Sequence, residues 1–215
     1  MRLLQAAGLK VVATGIDHGT VTAVCEGRGF EVTTLREDVE TYGRHAKVAF
    51  TDDWKADAAR RDLTFNALSL SPEGRLYDYF GGRDDLAAGR VRFVGQAAQR
   101  IEEDYLRILR FFRFFAHFGR PPADPEALEA CRAQAAGLER ISAERIRVEL
   151  MKLLRGGRCL EALDLMTESG VLAQVLPEAK RRDRLAALIA LEEGEEPDPL
   201  RRLAALVEIE CPTAE

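Results

Sequence analysis

The pattern of hydrophobic and polar positions changes along the chain. The opening segment is rich in Val, Thr and Gly and alternates with the period of short strands. Strands are predicted at residues 10–14, 20–24 and 30–35, with hairpin chemistry at residues 26–29. If Phe30 and Val32 face the core, the alternation places Glu31 on the outward face of its strand.

Helical periodicity takes over in the later part of the chain. Residues 52–67 contain helical stretches, and residues 75–80 and 90–94 are predicted as short strands around a Gly81-Gly82 turn. From Gln96 to the end the apolar positions follow a helical period. Helix boundaries are predicted from the caps and breakers Gly119, Pro121, Pro122, Ser142 and Pro199. The fold class is therefore α+β, a small mixed sheet followed by an all-helical region.

Composition excludes several classes of protein. The chain has 215 residues, of which 47% are hydrophobic and 31% charged, which excludes a disordered or collagen-like chain. No apolar run is long enough to predict a membrane span. The net charge of −5 disfavours a non-specific nucleic-acid coat but leaves room for a local basic cleft. The four cysteines are Cys25, Cys131, Cys159 and Cys211, and they form no C-x-x-C pair. This pattern favours reduced thiols and a cytoplasmic location.

The segment 103–113 carries the strongest candidate chemistry. Read as one helix, it buries an apolar face and places arginines on the other side, next to Phe111, Phe114 and Phe118. Asp104 and Arg107 lie one turn apart, so they can pair or can present an acceptor and a donor fork to the edge of a nucleobase. The alternative is a salt bridge on the surface of the helix.

Two further groups are candidates for binding. Arg60 and Arg61 precede a segment whose polar side chains can bond to nearby backbone, which leaves the arginines to grip a phosphate. The alternative is a capped helix start with solvated arginines. Glu31 on an open sheet face can bind a metal ion or can simply be solvated, and His18 is typical of a turn residue.

Taken together, these motifs resemble those of bacterial class II tRNA nucleotidyltransferases, the CCA-adding enzymes, and their poly(A) polymerase relatives. The matching segments are Arg-Arg-Asp-Leu-Thr-Phe-Asn-Ala at 60–67, the Gly, Asp and Gly-Gly pattern at 74–86, Glu-Asp-x-x-Arg-x-x-Arg at 103–110, and 142–149. The resemblance implies a polymerase-beta-like nucleotidyltransferase head at 1–94. It further implies a helical neck that binds nucleotide and RNA at 95–155, and the start of a helical body at 156–215.

The resemblance also implies roles for individual residues. Arg61 would contact the incoming nucleotide, and Asp104 with Arg107 would act as a protein template for the base of CTP or ATP. Arg110 and Arg113 would hold the triphosphate. Arg60, Asp62 and Asn66 would support these residues. Glu31 would be the catalytic, metal-binding carboxylate. The implied reaction is attack of the tRNA 3′-hydroxyl on the α-phosphate of CTP or ATP, with two Mg²⁺ ions.

One departure from the family pattern changes the expectation. Nothing before Glu31 matches the family's G-G-x-V-R-D turn or its D-x-D pair of metal ligands. The sequence therefore predicts that the opening strands of the head are missing and that the chain binds nucleotide without catalysing its transfer. The alternatives are a non-catalytic module that binds nucleotide or RNA, and a poly(A) polymerase.

Overall fold

The computed structural model describes residues 1–16, 19–42 and 45–208. These residues form two compact units, which divide between Arg60 and Arg61. The turn predicted around His18 and the thiol of Cys211 lie outside the described residues. The domain limits that the sequence predicts at residues 94 and 155 stay predictions.

The first unit opens with a three-stranded antiparallel meander. A short helix leads into strands paired in the order β1-β2-β3. The bounds are α1 (Arg2–Ala6), β1 (Lys10–Gly15), β2 (Thr20–Cys25) and β3 (Arg28–Thr33). Cys25 pairs with Arg28 across the β2–β3 hairpin, and the two turn residues between them have φ of +50° and +77°. A two-residue turn with both residues left-handed matches the strand twist, so the predicted hairpin is confirmed.

Phe30 and Val32 do not face a core. Phe30 is 53% exposed and Val32 is 43% exposed. The reason is that β3 pairs with β2 alone, and few of the described side chains in this unit are buried: Ala23, Asp57 and Ala58. Glu31 is also exposed, on the other face of β3, where its cross-strand partner is Thr22.

The rest of the first unit is a hairpin followed by a helix. Antiparallel strands β4 (Arg36–Tyr42) and β5 (His45–Phe50) precede α2 (Trp54–Ala59). The carboxylate of Asp53 caps α2 by accepting the Lys55 N–H at 2.8 Å. Asp57 is buried, and its carboxylate accepts the Arg36 N–H at 3.1 Å and an Arg60 guanidinium N–H at 2.8 Å. The β4–β5 hairpin is absent from the sequence prediction because β4 is dominated by charged and polar residues.

The second unit starts with short elements around a 3₁₀ turn at Thr64–Ala67. The elements that follow are β6 (Ser69–Leu70), β7 (Leu76–Tyr77) and α3 (Gly82–Ala88). The strand predicted at 90–94 forms only an isolated bridge, from Phe93 to Leu63. Its backbone nevertheless supports the 3₁₀ turn, because the Thr64 N–H donates to the Arg92 carbonyl and the Val94 N–H donates to the Asp62 carbonyl.

Helices make up the rest of the described chain, so the predicted α+β class is confirmed. They are α4 (Ala97–Glu103), α5 (Leu106–Phe118), α6 (Pro125–Ala133), α7 (Ala143–Leu154), α8 (Cys159–Glu168), α9 (Val171–Val175), α10 (Arg182–Leu191) and α11 (Pro199–Leu206). Ser142 and Pro199 open helices as predicted, and Gly119 follows the end of α5. Among the described residues, no helix has the length and apolar content that crossing a membrane requires.

Helix α5 lies at the centre of the core of this unit. It packs against α7 and α8 and buries Phe111, Phe112 and Phe115 almost completely. The sequence prediction placed Phe111 beside the arginines, and that placement is wrong. Phe111 stacks on Phe93 with ring centroids 5.9 Å apart, because the 90–94 segment covers a second side of α5.

At Gly82 the backbone of α3 lies tightly against the backbone of the 3₁₀ turn, and this contact yields a prediction. A Cβ on Gly82 would lie 2.8 Å from the Phe65 Cα and closer still to the Thr64 carbonyl, so Gly82→Ala must displace the 3₁₀ turn. We expect Gly82→Ala to lower the free energy of unfolding by about 2 kcal/mol. The matched control is Gly157→Ala, because a Cβ there meets nothing within 4 Å. Equal urea midpoints for the two variants would contradict this packing.

Candidate nucleotide-binding site

The site is organised by a break between α4 and α5. The sequence predicts one continuous helix through residues 103–113, but α4 ends at Glu103 and α5 begins at Leu106. Asp104 between them is extended, with φ of −157° and ψ of 106°. Its carboxylate accepts the Leu106 N–H at 3.1 Å, which satisfies one of the free N–H groups at the start of α5. The break therefore lets the Asp104 side chain point away from the helix surface.

The candidate template residues are each held by a different partner. The Asp104 carboxylate lies 2.6 Å from an Arg145 guanidinium nitrogen, which reaches it from α7. The Arg107 guanidinium donates to the Arg100 carbonyl at 2.8 Å and forms an ion pair with Glu103. Asp104 keeps 34% of its side chain exposed. An acceptor and a donor fork are therefore each fixed at the α4–α5 break, and the carboxylate remains accessible.

Arg110 joins α5 to the Arg-Arg-Asp motif. Its Nε lies 2.6 Å from Oδ2 of Asp62, and the Asn66 amide donates to Oδ1 at 3.0 Å. Burial by itself would raise the pKa of Asp62, but the hydrogen bond and charge of Arg110, with Asn66, hold that pKa below its usual value of 3.8. The pKa of Arg110 is raised, because the charge of Asp62 outweighs the desolvation of the guanidinium.

Arg113 completes the row of arginines along α5. It forms an ion pair with Glu149 at 2.6 Å, and its guanidinium carbon lies 3.8 Å above the centroid of the Phe114 ring. Burial is the main cause of a lowered pKa for Arg113. Phe114 also contacts Phe65 of the 3₁₀ turn at a centroid distance of 5.3 Å. The arginines are therefore set among aromatic side chains, as the sequence predicts for Phe114.

A second layer of contacts supports the 3₁₀ turn that carries Asn66. Asp85 is buried, and its carboxylate accepts the Thr64 hydroxyl at 2.7 Å and the Arg92 Nε at 2.9 Å. Asp78 caps α3 by accepting the Gly82 and Arg83 N–H groups at 2.9 and 3.0 Å. Burial would raise the pKa of Asp78, but these backbone donors hold it below its usual value. The turn that the sequence predicts at Gly81-Gly82 is therefore followed by a capped helix.

The structure brings together some of the predicted site residues and assigns others to the first unit. Asp62, Asn66, Asp104, Arg107, Arg110 and Arg113 all belong to the second unit, whereas Glu31 and Arg60 belong to the first. Arg61 is exposed and directly precedes the buried Asp62. Sequence reasoning missed Arg145 and Glu149 as partners, although they lie four residues apart on α7, a spacing that places both on one helix face.

The described residues do not fit a resident magnesium ion. No group of three or more His, Cys, Asp or Glu side chains in the described part of the chain is arranged to hold a metal. Glu31 is a single exposed carboxylate on an edge strand, whereas metal-assisted phosphoryl transfer needs converging ligands.

Comparison with known proteins agrees with this geometry. Residues 1–92 match the family described as the poly A polymerase head domain. Residues 123–182 match the family described as the probable RNA and SrmB-binding site of polymerase A. A mitochondrial CCA tRNA nucleotidyltransferase 1 from Danio rerio is 48% identical over 95% of this chain. A CCA-adding enzyme from Leuconostoc citreum is 37% identical over 89% of it. The chain spans about half the length of these curated relatives.

Solved structures show the same fold. The Bacillus stearothermophilus CCA-adding enzyme in complex with CTP superposes with a TM-score of 0.72 at 34% identity, over 84% of this chain and 44% of the other. A tRNA nucleotidyltransferase complexed with a primer tRNA and an incoming ATP analog has a TM-score of 0.72 at 27% identity, over 95% and 61%. The fold is that of the head and neck of a nucleotidyltransferase. The chain belongs to the CCA-adding enzyme and poly(A) polymerase family, as its motifs predict.

The pairing of Arg110 with Asp62 generates a prediction about stability. Arg110→Ala leaves the buried Asp62 carboxylate without its cation, so we expect the free energy of unfolding at pH 7 to fall by about 2 kcal/mol. A matched control is Arg132→Ala, whose ion pair with Glu129 is at least half exposed on both sides and should be nearly neutral.

The pH dependence of the same pair follows from the lowered pKa of Asp62. A carboxyl whose pKa is depressed in the folded state stabilises the protein above its unfolded pKa and loses that contribution as the pH falls through the folded value. The difference between wild type and Arg110→Ala should therefore hold at neutral pH and shrink as the pH falls, first through the pKa of Asp62 in the variant, which burial raises, and then through its lowered pKa in wild type. A difference that is unchanged at low pH in urea titrations would contradict the assignment.

Proposed function

We propose that this chain is the nucleotide-binding and tRNA-end-binding part of a tRNA nucleotidyltransferase, which adds C and A to the tRNA 3′ end from CTP and ATP. The observation that carries the proposal is the fixing of an accessible Asp104 by Arg145, and of Arg107 by Glu103, at the α4–α5 break. Their neighbours Arg110 and Arg113 supply cations along the same helix. The proposed partners are CTP, ATP and the 3′ end of tRNA.

Asp104 and Arg107 can read the edge of a base. A carboxylate accepts several hydrogen bonds, so Asp104 can keep Arg145 and the Leu106 N–H and still accept the exocyclic amine of C or A. Arg107 donates to ring acceptors of the same edge, and its contacts with Glu103 and the Arg100 carbonyl set the plane of its guanidinium. G and U present a carbonyl where C and A present the amine, so an acceptor at that point selects against them.

In this proposed function, the arginines bind the phosphates of the nucleotide. Arg–phosphate contacts are charge-assisted hydrogen bonds, and they form without a metal ion. Arg61 is exposed, while Arg110 and Arg113 remain partly accessible beside their carboxylate partners. Asp62 and Asn66 act through Arg110 by fixing its direction, and Arg60 is held within the first unit by Asp57.

The described residues of this chain account for nucleotide binding, and no bond-forming step is assigned to them. The family resemblance implies Mg²⁺ as cofactor, but the described carboxylates do not converge on a metal position. A cytoplasmic location is part of the proposal and is supported by the free thiols of Cys25, Cys131 and Cys159.

The base-reading role predicts a change in nucleotide preference. In Asp104→Ala, the preference for CTP and ATP over GTP and UTP should fall about tenfold, since one polar contact to the base is lost. Competition with a fluorescent CTP analogue measures the four affinities. The control is Asp164→Ala, which removes a carboxylate that is 63% exposed and pairs with Arg182. Unchanged selectivity in Asp104→Ala, with a wild-type melting temperature, would refute the base-reading role.

Because the described carboxylates do not form a metal-binding group, we expect this chain to bind nucleotide without transferring it. Incubated with labelled CTP or ATP, magnesium and a tRNA that lacks its CCA end, residues 1–215 should give no extended product on a sequencing gel. Binding of CTP by the same preparation is the control that the protein is folded. Extension by even a single nucleotide, abolished in Glu31→Gln, would show that a metal site forms around Glu31.

A further inference from the structure

Tyr105 forms the joint between the two helices of the site. Asp104 before it is extended, whereas Tyr105 has helical φ and ψ of −59° and −17°. The Tyr105 carbonyl accepts the Ile108 N–H at 3.1 Å, so the first turn of α5 begins at this residue. Its side chain is half-buried and packs against the hydrophobic core. The placement of the ring therefore fixes where the chain changes from extended to helical.

The ring of Tyr105 lies directly on the backbone of Gly137. Gly137 belongs to a 3₁₀ segment at Ala135–Arg140, between α6 and α7, which we call the 135–140 segment. A Cβ on Gly137 would lie 2.5 Å from Cγ of the ring and closer still to Cδ1 and Cε1. Gly137 has no positive φ, so backbone conformation does not require a glycine here. The close approach of the ring does.

A cation from the same segment lies over the ring. The guanidinium carbon of Arg140 is 5.5 Å from the centroid of the Tyr105 ring, within the range of a cation–π contact. The segment is itself ordered, because the Gly137 N–H donates to the Gln134 carbonyl at 2.9 Å. Two residues of one turn therefore hold the ring, and we call Tyr105, Gly137 and Arg140 the tyrosine clamp.

The same region also holds α4, on the other side of the break. The Gln134 amide donates to the Ala98 carbonyl at 2.9 Å, and the Glu126 carboxylate accepts the Ala97 N–H at 3.4 Å. Helix α6 packs against α4 as well. Both sides of the break are therefore anchored to α6 and the 135–140 segment, α4 by these hydrogen bonds and the start of α5 by the tyrosine clamp.

We propose that Tyr105 is a positioning residue for base selection, which sets the geometry of the α4–α5 break through the tyrosine clamp. The inference rests on the proposed function, which assigns Asp104 and Arg107 to the edge of the base. Tyr105 is assigned no contact with the nucleotide, and its ring acts through those two side chains.

The place of Tyr105 in the chain couples the clamp to both base-reading residues. Asp104 is its neighbour, and the Arg107 N–H in the same turn donates to the Asp104 carbonyl at 2.9 Å. A change in the backbone of Tyr105 therefore moves the Asp104 carboxylate relative to Arg145. It also moves the Arg107 guanidinium relative to Glu103. Groups that read a base must be held within a fraction of an ångström, so such a shift alters which bases fit.

Burial of the ring alone does not account for the clamp. If Tyr105 only filled space in the core, an apolar side chain at position 137 would add contact area and serve better than a glycine. The bare backbone at Gly137 instead lets the ring come closer than any side chain would allow. The contact therefore fixes the position of the ring more than it adds to its burial.

The test changes the clamp without changing a residue assigned to the base. The affinities of residues 1–215 for CTP, ATP, GTP and UTP are measured by competition with a fluorescent CTP analogue. In Gly137→Ala the new methyl group must displace the ring. We expect the preference for CTP and ATP over GTP and UTP to fall at least about fivefold. Tyr105→Phe keeps the ring and should keep the wild-type preference.

Tyr105→Ala removes the ring and tests whether the glycine acts through it. This variant needs no new space, so it gives the same reading if Gly137→Ala does not fold, and we expect the same loss of preference. Once the ring is gone, Gly137→Ala should cause no further loss in the double variant. An equal further loss would overturn the inference, because Gly137 would then act by another route.

The control introduces a similar overlap away from the break. A Cβ on Gly156 would lie 2.6 Å from the Ala116 Cβ, near the other end of α5. Gly156→Ala should lower the melting temperature, as Gly137→Ala does. It should keep the wild-type preference, because any shift of the phosphate-binding arginines acts on all four nucleotides alike. The comparison therefore separates selection of the base from loss of stability.

The remaining outcomes separate this inference from the proposed function. If wild type prefers CTP and ATP but Gly137→Ala loses no more of that preference than Gly156→Ala, the clamp does not position the site and the proposed function stands. If wild type binds all four nucleotides equally, the proposed function fails and the inference fails with it.

Discussion

The arginines of α5 can be held in a half-buried row only if each meets a negative charge. Glu103 pairs with Arg107, Asp62 pairs with Arg110, and Glu149 pairs with Arg113. Each carboxylate comes from a different element, so the ion pairs tie α4, the Arg-Arg-Asp motif and α7 to one helix. Removing a partner would leave a charge in a low-dielectric setting, which is costly.

This constraint also prepares the site for a ligand. A guanidinium that is already oriented by a carboxylate loses little side-chain entropy when a nucleotide arrives. The break at Asp104 serves the same end, because it takes a carboxylate out of the helix and leaves it paired with Arg145. In the proposed function, this surface presents acceptor and donor groups to a base and cations to its phosphates.

Local patterns in the sequence predict much of this architecture. Strand alternation predicts β1 to β3, the Glu26-Gly27 turn predicts their hairpin, and periodicity with caps at Ser142 and Pro199 predicts the later helices. The break at Asp104 escapes such reasoning because apolar positions keep the helical period across it. The exposure of Phe30 is also not predicted by local pattern. Alternation shows that one face of a strand is apolar, but it does not show whether another element covers that face.

Local sequence patterns also cannot predict which residues pair with the site residues, for a different reason. Arg145 and Asp104 are separated by 41 positions, and Arg110 and Asp62 by 48. Their pairing is decided by how α5 packs on α7 and on the 3₁₀ turn. Motif resemblance identified the segments, and only the three-dimensional contacts show that Asp62 and Glu149 act by holding arginines.

The central claim is that carboxylates position the arginines of α5 for nucleotide binding. It is tested most directly by a double-mutant cycle of Asp62→Asn and Arg110→Gln, read out as CTP affinity by calorimetry. The account predicts strong non-additivity, with a coupling free energy of about 1 kcal/mol or more and a double variant no weaker than Arg110→Gln alone. Additive losses would contradict the account, because they would show that Asp62 and Arg110 contribute to CTP binding independently.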